Sequence, residues 1–305
     1  METHPNRRQL LGKASAATAG ALAAMGQPKA AHGIEPVQRA VATPKVKFTL
    51  AGYSYRSLLT GKKPTLTLRD FVTDCAKFGL EGTEPTSYYF PQPVTRKYLC
   101  ELKALAFGLG LSISSTAVGN KFSLPPGKAR DQQIAHVKQW IDHAAVLGAP
   151  VIRIFSGSAG KGQKVEDARK LAVDAIEECC EYAGRSGIFL GLENHGGLTA
   201  TADGMLEVVR AVKSPWFGAW MDTGNFHGQD VYAELEKIAP YTLHVQVKVV
   251  TSSRGQGRMP TDFARLAKIL GKVHYRGWLC LEYEESEDPR QACPPYLAKL
   301  RKAFS

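Results

Sequence analysis

The 305-residue sequence contains none of the short motifs that place a chain in the nucleotide-binding or zinc-finger classes. No GxGxxG segment follows the first predicted strand, and neither GxxxxGKS nor GxxxxGKT occurs, so a phosphate-binding glycine loop has no support. Its six cysteines include no CxxC pair and no histidine partners at zinc-finger spacing. A disulfide framework or a structural zinc module is therefore not indicated.

Two further absences concern membranes and nucleic acids. Beyond residue 26, no apolar run approaches the length of a membrane span. Residues 1–44 hold five Lys or Arg and two Asp or Glu, so most of the net charge of +11 belongs to the remainder. Those basic residues are scattered through helix-like segments without the basic and aromatic stripe of single-strand binders. We expect solvated helix faces and no nucleic-acid partner.

The N-terminus has the pattern of an export signal. The segment NRRQLL at 6–11 is followed by an Ala-rich apolar stretch at 14–26 without an acidic residue. Adjacent arginines before an apolar stretch resemble a twin-arginine signal, which is a receptor-read address and not an anchor. We expect a signal peptide at 1–31, a linker at 32–45 and a folded, periplasmic domain at 46–305 that is not inserted in a membrane. A plain secretory signal and an uncleaved membrane-holding helix are the alternatives.

From residue 46 onward, short β-branched or aromatic runs alternate with amphipathic stretches, as in βα units around a parallel sheet. The eight predicted strands are 47–53, 82–85, 112–117, 151–155, 189–193, 218–221, 243–247 and 278–282. Several helical patterns end in glycine, as at Gly79, Gly148 and Gly187, which suits helix C-caps. Eight strands and their helices in about 260 residues predict a single α/β domain, a closed (β/α)8 TIM barrel.

Polar side chains end the last four predicted strands. They are Glu193, Asp222, Gln246 and Glu282. Active sites of βα barrels lie at the carboxyl ends of the strands, so these side chains would meet at one mouth. Three carboxylates and an amide oxygen suit Mn, Mg, Co or Zn, with open positions for two substrate oxygens. Because the carboxylates would otherwise repel each other, we expect one divalent metal ion among them.

At these residues the chain resembles the sugar phosphate isomerase/epimerase family, xylose isomerase-like TIM barrels that include ketose 3-epimerases, inosose dehydratases and hydroxypyruvate isomerases. The resemblance covers nearly the whole chain after Val46. Glu193 in LENHGG, Asp222 in MDTGN and Glu282 in LEYE resemble the family's metal ligands on strands five, six and eight. The resemblance also implies that Glu193 and Glu282 exchange protons with the substrate carbon, and that barrels pair into homo-oligomers.

Strand seven departs from the family pattern. The family usually has HVHVKD there, whereas this chain has Gln246 in place of the second histidine, and Lys248 is followed by Val249. An amide oxygen can ligate a metal but is a weaker donor than imidazole, which puts metal affinity and identity in question. By strand alternation, Lys248 would point to the same side as Gln246 and stabilise an enolate oxygen or act as an acid.

Four residues outside the metal set are expected to contact the substrate. His195 resembles the histidine of the family's ENH loop, with a turn or capping role as its alternative. His227 follows the sixth strand, and Arg258 lies in a loop that resembles the family's GxGRMP segment. Glu84 ends strand two, where a structural ion pair is the alternative. Aromatic residues after the early strands would form an apolar wall for a sugar face; they are Tyr53, Tyr55, Tyr88, Tyr89 and Phe90.

These residues predict a metal-dependent epimerase or isomerase that removes a proton next to the carbonyl of a keto sugar and passes through an enediolate. If a leaving group lies β to the carbanion, the same site gives a lyase or dehydratase acting on a 3-keto sugar or inosose. An endonuclease on this barrel would need a histidine-rich zinc site, and few of the eight histidines end strands. A non-catalytic periplasmic sugar-binding protein is the alternative of another class, because Gln246 weakens the metal set.

Overall fold

The computed structural model describes residues 33–39, 41, 45–255 and 257–305. The predicted signal peptide at 1–31 lies outside the described residues, and the predicted linker is described only at 33–39, 41 and 45. The described linker residues lie along the folded domain. The amide of Ile34 donates to the carbonyl of Val212, and the amide of Val37 donates to the carbonyl of Pro240.

Eleven strands occur in the described part of the chain. They are β1 (Lys45–Leu50), β2 (Gly82–Thr83), β3 (Ser112–Ile113), β4 (Thr116–Ala117), β5 (Val151–Ile154), β6 (Phe189–Glu193), β7 (Phe217–Asp222), β8 (Thr242–Lys248), β9 (Val250–Ser253), β10 (Gly257–Pro260) and β11 (Arg276–Glu282). Seven of them form a parallel sheet in the order β1, β11, β8, β7, β6, β5, β4. β2 pairs in parallel with β3, and Ala51 bridges Glu84 in the same sense, so β2 and β3 close the sheet between β1 and β4.

Helices connect successive strands and cover the outside of the sheet. They are α1 (Arg56–Leu59), α2 (Leu68–Lys77), α3 (Arg96–Gly108), α4 (Lys128–Leu147), α5 (Val165–Gly184), α6 (Ala202–Ala211), α7 (Val231–Ile238), α8 (Phe263–Lys272) and α9 (Pro289–Ala303). Gly79, Gly148 and Gly187, the predicted C-cap glycines, have φ values of +64°, +81° and +67°. Among the described residues, no helix has both the length and the apolar composition that crossing a membrane requires.

The predicted (β/α)8 barrel is confirmed, with two local differences. The third predicted strand is interrupted into β3 and β4 because Ser114 and Ser115 turn their side chains to buried hydrogen bonds inside the barrel. After the seventh predicted strand, β9 and β10 form an antiparallel hairpin where the sequence indicated only a loop. This hairpin extends the wall of the barrel mouth.

The barrel interior is mainly apolar, but a buried polar group of Glu84, Ser115 and His244 lies beneath the carboxyl ends of the strands. All six residues of β7 are buried. Trp220, on that strand, packs against Gly191 on β6, where an added Cβ would lie 3.0 Å from the indole ring. The buried run ends in Asp222, and a carboxylate is costly to bury unless a partner compensates its charge. The compensating groups lie at the mouth.

Candidate functional site

The carboxyl ends of four neighbouring strands bring the predicted metal and catalytic residues to one mouth of the barrel. They are Glu193 on β6, Asp222 on β7, Gln246 and Lys248 on β8, and Glu282 on β11. Asp222 is paired with Gln246 in the β7–β8 register, and Glu282 is paired with Lys248 in the β11–β8 register. All five residues are buried, so their charges interact with little screening by water.

The ammonium of Lys248 lies among three carboxylates. Its Nζ atom is 2.5 Å from Oε2 of Glu282, 2.8 Å from Oε2 of Glu284 and 3.5 Å from Oδ2 of Asp222. Burial acts to lower the pKa of Lys248, but the three carboxylates outweigh it and raise the pKa well above its ordinary value. Lys248 therefore carries a permanent positive charge at the mouth.

Glu193 is held by a second buried cation. Oε2 of Glu193 lies 2.8 Å from Nε of Arg153, and Oε1 accepts a 2.8 Å hydrogen bond from the side-chain amide of Asn225. The guanidinium of Arg153 rests 3.9 Å from the centre of the Phe155 ring. Burial raises the pKa of Glu193 to about 7, against the opposing effect of Arg153. A carboxyl group of this pKa can both accept and return a proton near neutral pH.

Two buried oxygens of the predicted metal ligands have no hydrogen-bond partner among the described residues. They are Oδ2 of Asp222 and Oε1 of Gln246. The other oxygen of Asp222 accepts a 2.7 Å hydrogen bond from the amide of Gly224. Burial, with the nearby charges of Glu193 and Glu282, raises the pKa of Asp222 well above its ordinary range, although Lys248 opposes the shift. Buried oxygens without a hydrogen bond are rare in proteins. The contact of Oδ2 of Asp222 is the 3.5 Å ion pair with Lys248, so both oxygens keep the capacity to bind a ligand atom or ion.

Two adjoining cavities of about 470 and 240 Å³ form a cleft at this mouth. They share four lining residues: Tyr53, Lys248, Glu282 and Glu284. The larger cavity continues along the β9–β10 hairpin and the loop after β7, and its walls include Arg56, Asn225, His227 and Arg258. The smaller cavity is walled by Tyr88, Arg153, Phe155, Glu193 and His195. Together the two cavities are large enough for a small organic ligand.

The predicted substrate contacts lie in different places. The His195 ring packs against the Phe155 ring beside the smaller cavity, with the two ring centroids 4.4 Å apart. In the larger cavity, Nδ1 of His227 is 2.8 Å from the Ser252 hydroxyl, and Arg258 pairs with a glutamate, Glu285. Of the predicted aromatic wall, Tyr53 and Tyr88 line the cleft, whereas Tyr55 and Phe90 are buried in the core.

Glu84, also predicted to contact the substrate, is buried beneath the cleft and is not among the lining residues of either cavity. Its Oε2 accepts a 2.6 Å hydrogen bond from Ser115, whose hydroxyl is 3.0 Å from Nε2 of His244. The His244 ring stacks on Trp220, with centroids 3.9 Å apart and planes at 4°. Burial raises the pKa of Glu84 to about 7 and lowers that of His244 to about 3. At neutral pH the imidazole is therefore uncharged.

Three residues of the site are absent from the predicted set. Arg153 lies inside the apolar strand VIRIF, where a lone charged residue signals a buried partner. Glu284 follows Glu282 by two positions, which alternation along an extended backbone would have placed on the same side. No sequence pattern pointed to Asn225, because it lies in a loop whose course depends on the assembled barrel.

Residues 72–302 match the protein family described as xylose isomerase-like TIM barrel. The chain is 27% identical over 165 residues to the rhizopine catabolism protein MocC of Rhizobium meliloti. That match spans 46% of this chain and 48% of the relative, so the chain spans about half the length of the relative that it matches.

Solved structures share the fold over most of both chains. A D-psicose 3-epimerase from Clostridium cellulolyticum H10 is 16% identical, with a TM-score of 0.70 over 85% of this chain and 99% of that chain. A 3-keto-D-glucoside 4-epimerase, YcjR, from E. coli is 17% identical, with a TM-score of 0.65 over 85% of this chain and 100% of that chain. At these identities the likeness shows a common barrel, and function rests on the side chains of the mouth.

Proposed function

The chain belongs to the xylose isomerase-like TIM barrel family, and we propose that it is an enzyme, an epimerase or isomerase that moves a proton next to the carbonyl of a keto sugar. One observation carries this proposal. Glu193 and Glu282 both line the smaller cavity, and they reach it from strands that β7 and β8 separate. Two carboxyl groups that approach one ligand from different strands can remove a proton on one side and return it on another.

The keto sugar substrate class also has support from the comparisons. Two of the similar structures are those of a D-psicose 3-epimerase and a 3-keto-D-glucoside 4-epimerase. The cleft suits a ligand of that kind, because its aromatic residues offer apolar faces and its charged residues offer hydrogen bonds to hydroxyl groups. If residues 1–31 are an export signal, as we propose, a free sugar or sugar acid is a better candidate than a sugar phosphate.

We propose that a divalent ion binds at the mouth, although in the described part of the chain no group of three or more Asp, Glu, His or Cys side chains is already arranged to hold one. The support for the ion comes from two buried oxygens. Oδ2 of Asp222 and Oε1 of Gln246 are buried, hard donors without hydrogen-bond partners in the described part of the chain. Glu193 and Glu282 would complete the donor set. When bound, such an ion would polarise a substrate carbonyl and ease removal of the neighbouring proton. Mn, Mg, Co and Zn all remain candidates, because oxygen ligands alone do not select among them.

The remaining residues of the mouth have roles that follow from their contacts. Arg153 and Asn225 fix the two oxygens of Glu193 and so aim the carboxyl group into the smaller cavity. Lys248 lines both cavities and presents a permanent positive charge to any oxyanion that develops in the cleft. Phe155 and Tyr88 wall the smaller cavity and offer apolar faces to a bound sugar.

A screen of free keto sugars and 3-keto glycosides, with products identified by NMR in the presence of Mn²⁺, tests this function. We expect an epimer or isomer as product, and a loss of about 100-fold or more in kcat for Glu193→Gln and Glu282→Gln, because each removes an acid–base group. Glu236→Gln, which changes an exposed glutamate paired with Lys272, is the matched control. Loss of water from the substrate would support the lyase alternative. Tight sugar binding without turnover would support the binding-protein alternative.

A further inference from the structure

The three carboxylates around Lys248 differ in how deeply they are buried. Asp222 is fully buried, Glu282 is nearly so, and the Glu284 side chain is 36% exposed at the outer edge of the cleft. The ammonium therefore lies between an inner pair of carboxylates and one outer carboxylate. The inner pair are also two of the four residues that would hold a divalent ion, so the ammonium and the ion require the same oxygens.

Two hydrogen bonds hold the backbone of Lys248, whereas its side chain has rotatable bonds. The Lys248 amide donates a 2.9 Å hydrogen bond to the Thr223 hydroxyl, and its carbonyl accepts a 2.6 Å bond from Thr261. The aliphatic stem passes over Gly224, where an added Cβ would lie 2.6 Å from Cδ of the lysine. A glycine at this position leaves room for the stem, and a four-carbon stem with rotatable bonds can swing its ammonium by a short distance.

We propose that Lys248 is a tethered counter-ion, which neutralises Asp222 and Glu282 until a divalent ion binds and then transfers its ammonium to Glu284. Glu284 is a positioning residue in this exchange, because its Oε2 is already 2.8 Å from the ammonium on the outer side. No new partner has to form, since the lysine only gives up its two inner contacts. The inference rests on the proposed function in one respect, namely that the mouth binds a divalent ion.

A double-mutant cycle on Mn²⁺ affinity tests this exchange in the full chain after chelator treatment, with titration calorimetry as the readout. Lys248→Met should bind Mn²⁺ about tenfold or more tightly, because the competing cation is gone. Glu284→Gln should weaken Mn²⁺ binding by roughly tenfold in the wild-type background, because the displaced ammonium has lost its partner. In the Lys248→Met background the same change should alter affinity by less than about twofold.

Controls separate this inference from the proposed function. Lys237→Met removes an exposed lysine paired with Asp203 and should leave Mn²⁺ affinity unchanged. If Lys248→Met is insoluble, Lys248→Gln gives the same comparison, because it removes the charge and keeps a donor. An equal effect of Glu284→Gln in both backgrounds, or no gain on removing the lysine, overturns the exchange alone. Absence of Mn²⁺ binding in every variant overturns both the exchange and the proposed metal site.

Discussion

Replacing Arg153 by methionine should destabilise the protein in a strongly pH-dependent way. Arg153 and Glu193 are both buried, and their ion pair is 2.8 Å long, so the variant leaves Glu193 without its cation. Breaking one side of a buried pair costs about 3 to 5 kcal/mol when the remaining group is charged. When Glu193 is protonated, the loss reduces to hydrogen bonds such as that from Arg153 to the Val118 carbonyl, about 1 to 2 kcal/mol.

The sign of the pH effect follows from proton binding. In the wild type, the pKa of Glu193 is raised from 4.5 to about 7, so the folded state keeps a proton that the unfolded state has lost, and its contribution to stability falls as the pH rises through this window. Without Arg153 the pKa rises further, and the loss of stability continues above neutral pH. Urea unfolding of both proteins at pH 5 and pH 8 should therefore show a destabilisation roughly 1 kcal/mol larger at pH 8, because the two proteins differ in proton binding only above the wild-type pKa.

The surface pair of Arg185 and Glu181 provides the control. Both side chains are exposed, by 67% and 75%, so Arg185→Met should change the free energy of unfolding by less than about 1 kcal/mol. That small change should be the same at both pH values. Equal destabilisation by Arg153→Met at pH 5 and pH 8 would refute the claim that Arg153 compensates a buried carboxylate.

Three further predictions concern other residues of the mouth. Asp222→Asn should abolish Mn²⁺ binding by titration calorimetry and stabilise the metal-free protein to urea at pH 8, because it removes a buried charge; retained Mn²⁺ affinity would contradict the proposed ligand set. Glu84→Gln should gain roughly 2 kcal/mol in unfolding free energy relative to wild type between pH 5 and pH 8, because the Glu84 pKa of about 7 makes the wild type lose stability over that range; a pH-independent difference would contradict it. Phe155→Ala should raise KM for the keto sugar by about tenfold with a smaller change in kcat, and the opposite split would show that the ring does not serve binding.

Much of the barrel was predictable because its strands are buried on both faces. Runs such as VIRIF and FLGLE are too short and too β-branched or apolar for helices, and glycines such as Gly148 and Gly187 mark where the preceding helices stop. The break between β3 and β4 was not predictable. It depends on Ser115 bonding to Glu84, 31 positions away, and lying near His244, 129 positions away.

The candidate site was predictable only as far as strand ends carry information. The rule that barrel sites form at carboxyl ends placed Glu193, Asp222 and Glu282 at one mouth, where the structure also has them. The same rule does not predict which cations neutralise these carboxylates. That two of these carboxylates face Lys248, and the third Arg153, follows from side-chain directions that only the closed barrel sets. The export signal, the homo-oligomer and the metal stay predictions.

Solvent deuterium incorporation tests the central claim most directly. Wild-type protein supplied with Mn²⁺ would be incubated in D₂O with each keto sugar, and the carbon-bound hydrogen next to the carbonyl followed by NMR alongside Glu282→Gln. The account predicts that this hydrogen is replaced by deuterium in the wild type and that the rate drops by about 100-fold or more in the variant. A product formed without deuterium at that carbon, or unchanged exchange in Glu282→Gln, would contradict proton transfer by the two glutamates.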